Sequence, residues 1–162
     1  MENNNNRKVV WNACYGGFGL SPLATKMFYE LKHPGETIYF YERESDWETD
    51  KDTYTKIPED KIEGARSFNV TTLSKDLGDS FTLSRNDRNS ELYQEFDQHL
   101  IWIPDFERHD PDLVKVVETL GDRASGDCAK LVVTDIGESK YHIDEYDGYE
   151  SVITELGDDY WI

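Results

Sequence analysis

The chain has 162 residues, 37% hydrophobic and 13% aromatic, with 17 basic against 34 acidic side chains and a net charge of −17. That length suits one domain, and the ten tyrosines, seven phenylalanines and four tryptophans supply large buried areas in place of a higher aliphatic content. The charge argues against a sequence-independent nucleic-acid binder, the lack of any apolar run near about eighteen residues against a membrane-spanning helix, and two distant cysteines, Cys14 and Cys128, against a disulfide framework or a thiolate zinc site.

In chain order, residues 1–6 (MENNNN) read as a polar mobile tail with no secretory leader. Residues 8–13 (KVVWNA) have the β-branched and aromatic content of a strand, and a glycine-rich loop follows, Cys14-Tyr15-Gly16-Gly17-Phe18-Gly19-Leu20. Ser21 and Pro22 open a helix with Leu23, Met27 and Leu31 on one stripe, and His33-Pro34-Gly35 ends it. Residues 37–41 (TIYFY) predict a strand with Tyr39 and Tyr41 on one face and Ile38 and Phe40 on the other.

Residues 42–98 look like an acidic excursion from the core, the first part (42–63) a surface loop or hairpin. Within it, residues 71–77 predict a short helix, 80–84 (SFTLS) a strand, and 91–100 a helix capped by Ser90; 100–103 have strand-like content. Asp110, Pro111 and Gly121 mark both ends of a helix whose Leu113, Val116, Val117 and Leu120 share one face. Residues 130–136 and 141–146 predict strands, Asp147-Gly148 a hairpin turn, residues 149–156 its second arm, and Tyr160-Trp161-Ile162 an apolar end that docks on the body. The expected fold is α+β: a single compact domain with a mixed or antiparallel sheet and two or three helices.

Chemistry has few candidates. The strand–glycine loop–helix unit can present backbone amides and a helix N-terminus to an anion, although it is neither a Walker A loop nor G-x-G-x-x-G. The same loop also reads as a tight turn where glycine allows positive φ and close packing. Between residues 7 and 33, Arg7, Lys8, Lys26 and Lys32 outnumber the single acid Glu30, a local excess of positive charge in an acidic chain. Arg108-His109-Asp110 at the later helix start reads as capping or as a ligand contact. Tyr141-His142 with Asp144, Glu145 and Asp147 reads as a solvated strand edge or a cation site. An enzyme would rest on Cys14 paired with a histidine or on His109 in the Arg108-His109-Asp110 run, and no metal, cofactor or catalytic residue is assigned.

Three blocks, ACYGGFGLS at 13–21, RHDPDLVKVVETLG at 108–121 followed by ASG, and IDEYDGYESV at 143–152, resemble a group of small proteins recurrent in bacteriophages and prophages. They cover about a third of the chain; the tract from residue 42 to about 98 is longer than that pattern, and the C-terminus lacks its basic pair before the last tryptophan. The resemblance implies a phage accessory protein of the infected host's cytoplasm, acting against host defence.

The leading expectation is a non-enzymatic, homo-oligomeric protein that sequesters a small anionic, nucleotide-like ligand. The candidate ligand-binding residues are Trp11, Tyr15, Gly16, Gly17, Phe18, Gly19, Ser21, Lys26, Arg108 and His109. The alternatives are an acidic inhibitor that docks directly on a basic host protein such as a nuclease, and a nucleotide-modifying enzyme. Direct nucleic-acid binding and membrane association are not expected.

Overall fold

A computed structural model describes residues 7–101 and 106–155. The tail expected at 1–6, residues 102 and 103 of the strand-like stretch 100–103 and the apolar end at 160–162 lie outside those residues, as does position 156 of the last arm. The described fold is α+β, with three helices and eight strands in three antiparallel sheets.

The first layer grows from strand β1 (Arg7–Asn12), which pairs antiparallel with β6 (Leu131–Gly137). Helices α1 (Pro22–Lys32) and α3 (Pro111–Leu120) cover this ribbon, and Val10, Phe28, Leu113, Val116, Val117 and Leu120 form a common core. Both helices start as the sequence dictates. The Ser21 hydroxyl accepts from the Ala24 amide and the Asp110 carboxylate from that of Asp112, each ahead of a proline. Gly121 ends α3 at a φ of +59°, and the 3-10 turn Gly121–Ala124 leads towards β6.

The second layer occupies the tract that composition marks as an excursion. Strands β2 (Tyr39–Asp46), β3 (Lys51–Lys56), β4 (Val70–Leu73) and β5 (Ser80–Ser84) form a sheet in the order β4-β2-β3-β5. Helix α2 (Glu91–His99), capped by Ser90, packs on it. Residues 42–63 therefore include a hairpin inside a sheet, and the tract 42–98 builds a second core on Tyr41 from Tyr54, Leu73, Phe81, Leu83 and Phe96. Few apolar residues suffice because most are aromatic, with Tyr54 and Phe81 stacked at 5.0 Å.

The short helix expected at 71–77 is a correction: residues 70–73 are strand β4, paired with Tyr39–Glu42. The Leu73/Leu77 spacing mimics one helical turn, but the β-branched run Val70-Thr71-Thr72 and the open edge of β2 favour the strand. The opposite face of β2 is built as expected, for Ile38 and Phe40 join Ile62 in a third cluster, with Tyr29 of α1 packed against it.

Strands β7 (Tyr141–Tyr146) and β8 (Tyr149–Thr154) form the third sheet, a two-stranded hairpin whose β8 lies beside β1. Asp147 (φ 51°) and Gly148 (φ 86°) take the left-handed conformations that a two-residue turn of this twist requires.

Candidate functional site

The glycine loop meets this hairpin turn. Gly16 donates its amide to the Asp147 carbonyl at 3.3 Å. A Cβ on Gly148 would stand 2.6 Å from the Gly16 nitrogen and closer still to that of Gly17, so only glycine fits there. On its other side the loop is zipped to residues 124–126: Gly126 donates to the Gly19 carbonyl at 2.8 Å, and Ser21 to that of Ala124 at 2.9 Å. Of the amides expected to face a ligand, that of Gly16 is thus spent on the protein's own turn, and that of Gly17 lies against Gly148.

A buried polar hub holds the junction. The Asn12 side chain donates to the carbonyls of Cys14 and Gly148, both at 2.8 Å, and accepts from the Lys130 amide at 2.8 Å. Glu150, 5% exposed, accepts from the Asn12 amide at 2.8 Å and from both terminal nitrogens of Arg108 at 2.6 and 2.8 Å. Such a two-pronged pair fixes orientation as well as charge, and a buried carboxylate with three donors has its desolvation offset. The Arg108 guanidinium lies 3.8 Å over the Phe18 ring, and Phe18 packs on Phe106.

Outside the hub the surface is aromatic. Tyr149 touches Tyr15 at 5.4 Å and Trp11 at 6.4 Å between ring centroids. Across the turn from Tyr149 stands Tyr146, 79% exposed, and Tyr15 is 62% exposed. Trp11 is anchored by its indole N–H, which donates to the Thr134 hydroxyl at 2.8 Å. Asp144 and Asp147 are exposed as well, Asp144 on the hairpin face that carries Tyr146 and Tyr149, whereas the exposed Glu145 lies on the other face, opposite Glu150.

Of the expected site residues, Trp11, Tyr15, Gly16, Gly17, Phe18 and Arg108 gather at this junction. Gly19 and Ser21 are engaged at the α1 start, where Ser21 also donates its hydroxyl to the Arg123 carbonyl at 2.6 Å. Lys26 pairs with Glu30 at 2.7 Å and Glu59 at 3.4 Å beside a separate cleft. His109 bridges the Tyr141 hydroxyl (2.6 Å) and Glu107 (2.9 Å). Burial, foremost, raises the Tyr141 phenol above its ordinary value.

Asn12, Tyr146, Gly148, Tyr149 and Glu150 escaped sequence reasoning as site residues. The one visible sign was Glu150 itself, an acid sharing its parity along β8 with the apolar Val152.

Cys14 and Cys128 are both free thiols. Among the described residues no group of three or more His, Cys, Asp or Glu could hold a metal ion, and no helix is long and apolar enough to cross a membrane. The chain matches no known protein family, no curated protein and no solved structure.

Proposed function

We propose that the chain is a non-enzymatic binding protein that docks on a basic partner protein through the face formed by Tyr15, Tyr146 and Tyr149. In the phage setting that the resemblance implies, the partner is a host factor such as a nuclease. The observation that carries the reading is the exposed tyrosine cluster, fixed from beneath by the Asn12–Glu150–Arg108 hub and bordered by carboxylates. Tyrosines offer large contact area with little conformational freedom to lose, and acids around them suit arginine and lysine, which also stack on aromatic rings. A net charge of −17 adds long-range attraction for such a partner.

A labelled nine-arginine peptide tests it, read by fluorescence anisotropy against wild type and the double variant Tyr146→Ala/Tyr149→Ala, which leaves the charge unchanged. The expected result is binding about tenfold weaker in the variant, and weaker in both proteins as salt rises. Equal affinities overturn the reading, because charge alone would then explain the binding.

A small anionic, nucleotide-like ligand is the second reading, favoured by the tilted Tyr15–Tyr149 pair, whose rings can take a base. Two of the groups expected to meet its phosphate, the Gly16 amide and Arg108, are engaged within the protein. Calorimetric titration with mono- and cyclic nucleotides decides it: submicromolar heats abolished by Gly17→Asp support the ligand, and silence across the panel removes it.

A further inference from the structure

A cleft of about 410 Å³ opens between α1, the start of β2 and the turn that follows β3. Its volume is within the range of small-molecule sites, and it has the make-up of one: an apolar base with a few polar groups at the mouth. Ile38, Phe40 and Ile62, each no more than 7% exposed, form the base. Lys26 and Lys56 stand at the rim, each with its side chain only 24% exposed. Their covered stems leave the ammonium groups as the polar ends, with that of Lys56 5.6 Å from the centre of the Tyr39 ring.

We propose that this cleft binds a small amphipathic carboxylate, its apolar body on Ile38, Phe40 and Ile62 and its head group on Lys26 in the place now taken by Glu59. Lys26 has three donors, and Glu30 holds one firmly at 2.7 Å. The Glu59 contact is different: 3.4 Å long, from a side chain 84% exposed. An exposed pair of that kind contributes at most about 1 kcal/mol, so a carboxylate that also buries apolar surface outcompetes it. Lys56 is placed alike, close to Asp76 but only 3.9 Å from the fully exposed Asp79. Beyond the shared wall Lys56-Ile57-Pro58, a second hollow of about 730 Å³ continues past Lys61 and Arg66, which share it with Glu42 and Asp60. The hydrogen bond to Glu30, foremost, raises Lys26 above the ordinary lysine value.

The site is independent of the tyrosine face, and its test uses other residues. Titration of the full chain with 3-phenylpropionate and octanoate, followed by heteronuclear NMR shifts at residues 37–40 and 57–62, uses the neutral 3-phenylpropionamide as control. The acids bind and the amide binds at least about tenfold more weakly. Lys26→Gln weakens the acids about tenfold, and Glu59→Gln tightens them about threefold by removing the internal competitor. Both substitutions lie on partly or fully exposed side chains and keep the fold, as the unperturbed shifts of β6 and α3 will show. No binding of either acid up to about 5 mM, equal binding of the amide, or a Glu59→Gln affinity at or below wild type overturns the proposal.

Discussion

At Gly148, φ is +86° and the absent Cβ leaves room for the Gly16 and Gly17 amides, whereas Gly17, at φ +99°, has nothing within 4 Å of its own Cβ position. The two glycines therefore answer to different constraints. Gly17→Ala meets backbone strain alone, about 1–2 kcal/mol. Gly148→Ala meets the same strain and drives a methyl into backbone that cannot swing aside, which adds about 1–3 kcal/mol. Urea unfolding of the two variants is expected to rank Gly148→Ala lower in midpoint, and equal midpoints would mean that the hairpin turn does not press on the loop. This contact also marks the limit of reading residues from sequence. The run Gly16-Gly17-Phe18-Gly19 and the pair Asp147-Gly148 were each visible as turns. That each turn is the other's partner was not, because nothing local to either encodes a contact between opposite ends of the chain. Arg108 is a similar case: its charge was legible, but its neutralisation by Glu150 depends on how β8 lies beside β1.

Helices α1, α2 and α3 follow local rules, and their caps Ser21, Ser90 and Asp110 were all identifiable from residue type and position. Strand β4 and the four-stranded sheet follow non-local ones. Acidic side chains crowd the turns and open faces of residues 42–98, so average polarity suggests a loop, while the few apolar positions alternate inward from separate strands. Phe96 is the link between α2 and that sheet, 6% exposed and in ring contact with Tyr54, Phe81 and Tyr93. Phe96→Ala is expected to cost about 3–5 kcal/mol, since a large ring leaves a space that flanking aromatics cannot close. Hydrogen exchange checks where the loss falls: amides of β2, β3 and β5 lose protection first, and those of β1 and β6, whose core involves α1 and α3, keep it longer. Uniform loss over both layers would show that the two cores unfold as one unit.

For the whole molecule the question is whether ion pairs or unmatched charge dominates. Lysines and arginines find carboxylates across the described surface, among them Lys8 with Glu118, Lys32 with Asp110 and Asp112, Lys75 with Glu95, and Arg123 with Glu63. With 34 acids against 17 bases, even complete pairing leaves a large surplus of negative charge. Salt screens both effects, but the exposed pairs each contribute little while the surplus repels over the whole surface. The melting temperature is therefore expected to rise between about 10 mM and about 300 mM sodium chloride at pH 7, as the screening length shrinks from about 30 Å to below about 8 Å. A fall would mean that the pairs outweigh the repulsion.

Acid separates the two effects further. Lys56 holds Asp76 below the ordinary carboxylate value and Lys75 does the same to Glu95. Asp110 is also lowered, its partial burial outweighed by Lys32 and the amides of Asp112 and Leu113. A group whose folded value is depressed contributes stability above its unfolded value, about 4, and loses it as pH falls through the folded one. The pairs thus persist at pH 5 and fail only below about 4, whereas modest protonation of the surplus acids already relieves repulsion on the way down. Stability at low salt is expected to be level or slightly higher at pH 5 than at pH 7 and to collapse only below about pH 4. Thermal melts in about 10 mM buffer across that range measure it, and a steady decline starting at pH 6 would refute the excess-charge account.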